Sequence, residues 1–301
     1  MNILSLENVV KKYQKHTAVD HISFDVPKGS LFGLLGPNGA GKTSLIRIIT
    51  TITMADSGTI LFNGEPLNFN HPSDIGYMPE ERGLYKKMKV AEQLMYLAQL
   101  KGMSKKEARQ KLTDWLEKFG IFSWWDKKIE ELSKGMQQKV QFIATVMHEP
   151  KLLILDEPFS GLDPINTNLI KDEIYELNKK GTSIIFSTHR MEQVEEICEQ
   201  IVLINNGKKI LEGKVTQIKE DYKKHIYSVE YSGVLPHLYD NGIYKIQSQE
   251  NNQMLIKMEE NQHSNMVLKS MIDAGVQIKA FNEILPSIND IFINEVGTSQ
   301  E

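Results

Sequence analysis

Residues 31–49 read LFGLLGPNGAGKTSLIRII, and the rest of the chain is interpreted outward from them. The opening LFGLL is an apolar run of the length and character of a buried strand. Gly36-Pro37-Asn38-Gly39-Ala40-Gly41-Lys42-Thr43 then fits the phosphate-binding pattern GxxxxGK[ST]. Glycines let the backbone curl around a polyphosphate and point successive N–H groups at it, and residues 42–49 begin a helix whose positive end faces the same anion. Lys42 supplies a mobile cation for the β- and γ-phosphates, and the Thr43 hydroxyl is suited to Mg²⁺. Ser44 is grouped with the loop as a nucleotide contact. A Gly-rich turn without a ligand is the competing reading; strand, loop and helix in the required order argue against it. The stretch therefore predicts a bound nucleoside triphosphate.

At 301 residues the chain has room for one large domain plus a small one, or two of ordinary size. Its apolar (41%) and charged (25%) fractions are ordinary for a soluble globular protein. A net charge of −4 argues against a chain whose main business is gripping nucleic-acid backbone, so no nucleic-acid partner is expected. The N-terminus, MNILSLENVVKKYQKH, lacks the apolar core of a signal peptide. Nothing later approaches the roughly eighteen uninterrupted apolar residues of a membrane span. The expectation is a cytoplasmic protein that reaches a membrane through a partner. Cys198, the single cysteine, falls in the helical-looking stretch 191–201; it excludes an internal disulfide and reads as a small buried filler.

The first segment alternates apolar and polar residues (Leu4, Leu6, Val9, then Ile22, Phe24, Val26) and turns at Pro27-Lys28-Gly29, as a β-rich opening would. Residues 85–150 change to helical spacing, with Leu94, Leu97, Leu100, Leu112, Leu116 and Phe119 on apolar faces. This predicts a helical insert between two halves of an α/β core. Residues 151–155 and 183–187 read as buried parallel strands. Residues 201–205, Asn206-Gly207 and 208–211 read as a hairpin with a type I′ turn. From about Val215 the pattern predicts strands at 226–231, 243–246, 254–258 and 276–281 and one helix at 264–274. That is a small α+β domain, a sheet with helices on one face. The tail, 297–301, is expected to fray. His225, His237 and His263 lack metal-ligand spacing and read as surface residues.

Leu152-Leu153-Ile154-Leu155 lead directly into Asp156 and Glu157, placing two carboxylates at the carboxyl end of a buried strand, where ligands of open α/β sheets gather. Asp156 is placed to hold the Mg²⁺ shell and Glu157 to orient or deprotonate the attacking water. Solvated acids at a strand end are the alternative, weakened by the phosphate loop upstream.

With these motifs together, the chain resembles the ATP-binding subunit of an ABC transporter. Leu132-Ser133-Lys134-Gly135-Met136-Gln137-Gln138 is similar to that family's LSGGQ signature, Ser160-Gly161-Leu162-Asp163 to its D-loop, His189 to its switch histidine, and Tyr13 to the aromatic residue that stacks on adenine. The resemblance covers residues 1–213. It implies a P-loop NTPase cassette, α/β in class, with a mixed sheet core, a β-rich opening and a helical insert at about 85–150, followed by the small α+β domain at 214–301. It further implies ATP and Mg²⁺ as cofactors, ATP hydrolysis, a homodimer or paralogous pair, and a separate multi-span membrane permease as partner on the inner face of the cell membrane. The cytosolic helices of that partner are expected at the helical insert and the Q-loop. A soluble ABC ATPase acting on ribosomes or nucleic acid is the rival; such proteins usually carry two cassettes or a long coiled coil, which this chain lacks.

Physical chemistry fits each transferred role. Ser133 is a good N-cap for a helix from Lys134 onward, so its hydroxyl and the nearby amides, with Lys134 and Gly135, make a second anion site. In the family such a site completes the pocket of the opposite subunit. Asp163 either steers that interface or caps the helix after Pro164. His189 either sits in an ordinary loop or donates a hydrogen bond to the γ-phosphate, and Tyr13 either packs or stacks on the base. Two departures stand out. Lys134 replaces a glycine of the signature and Met136 its glutamine, and the Q-loop, Ile75-Gly76-Tyr77-Met78-Pro79, leads into Glu80 where the family has glutamine. Glu80 is read as a metal ligand, or else as a loop acid paired with Arg82. The Glu80-Glu81-Arg82-Gly83-Leu84-Tyr85 run, the signature variant and the added domain resemble exporters of sodium and drugs.

Overall fold

The N-terminal alternation builds a hairpin. Strands β1 (Asn2–Tyr13) and β2 (His16–Pro27) pair antiparallel, with Leu4, Leu6, Val9, Ile22, Phe24 and Val26 buried. The computed structural model describes residues 1–14, 16–81, 83–232, 243–259 and 263–297, and the chain divides into the units Met1–Lys214 and Val215–Glu301. The first unit continues through β3 (Leu31–Leu35), α1 (Lys42–Ile49), β4 (Ser57–Phe62), β5 (Glu65–Pro66) and β6 (Ile75–Met78). The helical segment follows as α2 (Val90–Leu100), α3 (Lys105–Lys118) and α4 (Lys134–Val146). The unit closes with β7 (Leu152–Asp156), α5 (Pro164–Lys179), β8 (Ser183–Thr188), α6 (Met191–Ile197), β9 (Gln200–Asn205) and β10 (Lys208–Lys214).

Two sheets result. An antiparallel sheet has the order β2-β1-β4-β5, and a mixed sheet has the order β10-β9-β3-β8-β7-β6 with its inner pairings parallel. Every residue of β3, β7 and β8 is buried, which explains why these strands read as continuous apolar runs instead of alternating ones. One core joins the two sheets through α1: Leu6, Phe24, Phe32, Leu45, Ile154 and Val202 belong to it. Phe24 and Phe32 stack across it with ring centroids 5.6 Å apart.

The 191–201 stretch is shorter as a helix than its spacing suggests. Helix α6 stops at Ile197, and Cys198, buried as expected, leads into β9. Pairing of Ile201, Val202 and Leu203 with Gly33, Leu34 and Leu35 of β3 outweighs the helical periodicity. Asn206 and Gly207 both have positive φ (48° and 76°), the backbone a type I′ turn demands.

The second unit holds α7 (Val215–Asp221), β11 (Ile226–Ser232), β12 (Tyr244–Glu250), β13 (Gln253–Met258), α8 (Ser264–Asp273), β14 (Gln277–Ile284) and α9 (Ile288–Gly297). Its antiparallel sheet runs β12-β13-β11-β14, and Val267 and Met271 of α8 pack with Val229, Met254 and Ile256. The periodicity predicts one helix here; α7 and α9 are additional, and β12 runs four residues beyond 246 to Glu250. Helix α9 does carry a start signal: Ser287 and Asp290 exchange hydrogen bonds, Asp290 N donating to Ser287 Oγ and Ser287 N to Asp290 Oδ2, each at 3.1 Å. His237 and the tail from 298 lie outside the described residues. Among the described residues no helix is long and apolar enough to cross a membrane.

Candidate nucleotide-binding and catalytic site

The phosphate loop is pinned from two sides. At Gly36 (φ 152°) a Cβ would stand 2.2 Å from the carbonyl oxygen of Ile204, and at Gly41 (φ 110°) 2.2 Å from that of Ala18. These contacts need glycine, so the loop's path is fixed by β2 and β9 as much as by its own sequence. Gly207 N donates to Ala40 O at 2.8 Å, stitching the β9–β10 turn to the loop. Lys42 Nζ folds back onto Gly36 O at 2.6 Å and Pro37 O at 3.1 Å. Burial lowers its pKa, while Asp156, Glu157 and Glu80 pull the other way. A cation held only by neutral carbonyls gains on meeting an anion, because charge-assisted bonds are the stronger ones. Thr43 is exposed at the start of α1, beside Ser44.

The register of β7 against β8 sets the two acids. Asp156 lies opposite Ser187, whose Oγ donates to Asp156 Oδ1 at 2.7 Å, leaving Oδ2 without a hydrogen bond among the described residues. Burial raises the Asp156 pKa, opposed by the Ser187 bond and by Lys42. Glu157 sits at φ 50°, a strained value for a side chain of this size, and this left-handed turn swings its carboxylate back over the end of β8. Thr188 Oγ1 donates to Oε2 at 3.0 Å, and His189 N donates to Oε1 at 2.8 Å. The His189 ring meets the same Oε1 through Nδ1 at 2.6 Å, with 43% of its side chain exposed. Glu80 is exposed and close enough in charge to act on Lys42 and Asp156; its suggested partner Arg82 lies outside the described residues. Tyr13, at the hairpin end opposite His16, has an exposed ring, with Lys11 Nζ 5.8 Å from its centroid. Five residues further along that hairpin, Ala18 touches the loop at Gly41.

The signature residues stand elsewhere. Ser133 caps α4, its Oγ accepting from Met136 N at 3.3 Å, and Asp163 caps α5 by accepting from Asn166 N at 2.9 Å. Ser133, Lys134, Gly135 and Asp163 line one cavity together with Trp124 and Lys139, and no phosphate-loop residue borders it. Two separate groups of residues result, one with the loop, Asp156, Glu157 and His189, the other with Ser133 and Asp163.

Sequence reasoning passed over the glutamines that tie these parts together. Gln138 Nε2 donates to Pro158 O, next to Glu157, and Gln141 Nε2 to Pro79 O, next to Glu80, both at 2.9 Å. Both side chains are buried. The available signal was two amides three apart on the buried face of α4, a costly placement unless each amide is bonded.

A groove beside Pro79 is lined by Tyr77, Leu97, Leu100, Lys101 and His148, with Phe69 and Ile52 exposed at its margin. Burial, aided by repulsion from Lys101, pushes His148 down to about 4. The unfolded chain takes this proton near pH 6.5 and the folded chain only near the lower value, so stability is lost as pH falls between them. From pH 7 to 5 the loss is about 2 kcal/mol from this group. Urea unfolding at both pH values should show that His148→Leu removes this increment; an unchanged pH difference refutes the assignment.

Comparison with known proteins gives the family of the chain. The ABC transporter family model matches residues 19–160, and the model of the C-terminal domain of DrrA1-3-like ATP-binding proteins matches 213–296. The uncharacterized ABC transporter ATP-binding protein YhaQ of Bacillus subtilis (strain 168) is 44% identical over 300 residues, spanning 99% of this chain and 100% of that one. The chain belongs to the ABC transporter ATP-binding proteins. The Nod factor export ATP-binding protein I of Cupriavidus metallidurans is 36% identical over 215 residues, 70% of this chain and 71% of its own. A solved ATP-binding subunit of an ABC transporter superposes with a TM-score of 0.69 at 30% identity, covering 73% of this chain and 93% of that one. This ABC ATPase binds ATP or ADP and hydrolyses ATP in transport.

Proposed function

We propose that this ABC subunit powers an exporter by closing on ATP against a second cassette and reopening on hydrolysis. The carrying observation is the split of the site: Lys42 of the phosphate loop lies within electrostatic reach of Asp156 and Glu157, while Ser133 and Asp163 line a cavity that no loop residue borders. Each half lacks what the other has, so two copies, or this chain and a paralogue, complete both pockets head to tail. Lys42 and the loop from Gly36 to Ser44, through its main-chain N–H groups at every residue but Pro37, hold the phosphates; Ser133, Lys134 and Gly135 of the opposite cassette cover them. Tyr13 stacks on adenine, and Asp163 sets the interface.

In the hydrolytic step water attacks the γ-phosphorus, its proton passes to Glu157, and ADP leaves with the electron pair of the broken P–O bond. His189 and Lys42 stabilise the charge that builds on the γ-phosphate. The donor set suits Mg²⁺: the Thr43 hydroxyl, Asp156 Oδ2 and the Glu80 carboxylate are hard oxygens, too few for an all-protein cage, and Mg²⁺ is commonly held by one or two carboxylates, waters and substrate phosphates. When bound, the ion neutralises phosphate charge. A separate multi-span permease docks its cytosolic helices in the groove by Pro79, where Gln141 links the groove wall to α4. That partner holds the chain on the inner face of the membrane. Export is favoured by the likeness to the Nod factor export protein and by the DrrA-like second domain.

Light scattering tests the sandwich. The Glu157→Gln chain should double in mass with ATP and Mg²⁺, and adding Ser133→Arg should abolish the doubling without touching ATP binding by the single chain. A monomer under these conditions refutes the homodimer. Co-purification of a multi-span membrane protein with the tagged chain tests the transport partner.

A further inference from the structure

Glu157 is held by two neighbours that differ in kind. Thr188 is fully buried at the end of β8; its Oγ1 accepts from Arg190 N at 3.0 Å and lies 3.0 Å from Glu157 Oε2. A hydroxyl has one proton, and a carboxylate only accepts. With Arg190 N already donating to Oγ1, the Thr188 proton is directed to Oε2. The other oxygen, Oε1, takes both the main-chain N–H of His189 and its ring Nδ1, and that ring is half exposed. The buried hydroxyl is fixed from behind by Arg190, while the ring, bonded only through Nδ1 among the described residues, has solvent to swing into once that bond breaks.

The His189 Nδ1 proton is committed to Glu157, so donating it to a phosphate means leaving Oε1. The same departure frees a lone pair of Oε1 for water, the main-chain N–H of His189 keeping the other. A carboxylate held at that moment by this one bond alone would pivot about it, and a base must stay within hydrogen-bond reach of the proton it takes. We propose that Thr188 is a positioning residue for hydrolysis: it anchors Glu157 through Oε2, so that His189 can release Oε1 to the attacking water while the base keeps its orientation. The inference rests on Glu157 being the base. It adds that the hydroxyl before the switch histidine acts in the turnover step and not in ATP binding.

Steady-state ATPase assays on the full-length chain test it. Thr188→Val should lower kcat roughly tenfold or more, the scale of one hydrogen bond to a charged group, with KM for ATP within about twofold. Thr188→Ser, which keeps the hydroxyl, should restore kcat to within about threefold of wild type. Thermal unfolding is read alongside, and Thr188→Ala takes the place of Thr188→Val if the latter does not fold. A hydroxyl-free variant with wild-type kcat overturns the proposal. So does a serine variant as slow as valine, or a loss of kcat matched by equal losses in KM and melting temperature. Glu157→Gln run in parallel separates the two ideas: rapid turnover there sinks the base itself, whereas a dead Glu157→Gln beside an unimpaired Thr188→Val sinks only the anchor.

Discussion

Glutamine in place of Glu157 should lower ATP turnover by roughly a thousandfold and leave ATP affinity within a few-fold of wild type, the pattern of a lost general base. The substitution should not disturb the fold. A glutamine oxygen at the Oε1 position still accepts from His189 N and the His189 ring, and the amide group at the Oε2 position meets Thr188 Oγ1, which retains an acceptor lone pair beside its bond from Arg190 N. The left-handed backbone at 157, φ 50°, costs the two side chains alike. What disappears is the ability to take a proton. Phosphate-release kinetics together with nucleotide titration measure both halves of this expectation. Turnover near the wild-type rate means that Glu157 is not the base and that another group activates the water.

How much of this site could be read from the sequence depends on the distance over which each contact is made. The strand Leu31–Leu35 and the helix Lys42–Ile49 fall where the motif puts them, because loop, strand and helix start are one local unit. Asp156 and Glu157 were legible for the same reason. Ser187 and Thr188 were visible only as the end of a strand; their hold on the acids comes from the register of β7 on β8, which joins residues 31 apart in the chain and leaves no local pattern. Strands β4 and β5 escaped likewise, since β4 owes its place to antiparallel pairing with β1. The end of α6 is illegible for a related reason: residues 194, 197, 198 and 201 are all buried at helical spacing, so the pattern runs on past Ile197, and only pairing with β3 ends the helix. Ser133 and Asp163 were legible as caps and as family matches, yet that they share a cavity follows from α4 and α5 beginning side by side.

The sharpest contrast expected within the phosphate loop is between two glycines two residues apart. Gly39 (φ 81°) has nothing within 4 Å of a built Cβ, whereas at Gly41 (φ 110°) that atom would lie 2.2 Å from the Ala18 carbonyl oxygen. Alanine at 39 meets only the cost of a left-handed L-residue, about 1–2 kcal/mol, and ATP should still bind within a few-fold of wild type. Alanine at 41 meets a backbone atom of β2, which cannot rotate aside as a side chain would. Either the loop or the strand must shift, and Ala18 is held within the hairpin that forms the core with Leu6, Ile22 and Phe24. The loop is the softer of the two, so the displacement passes to its next residue, Lys42, and to the first turn of α1. A displaced loop forfeits charge-assisted hydrogen bonds to the phosphates at about 1.5–3 kcal/mol each, so with two of them lost Gly41→Ala should bind ATP roughly a hundredfold or more weakly. Fluorescent-nucleotide titration of both variants, with melting curves to confirm folding, decides it. Equal affinity in the two would mean that the Ala18 carbonyl does not shape the loop and that the phosphate cradle is set by its own sequence alone.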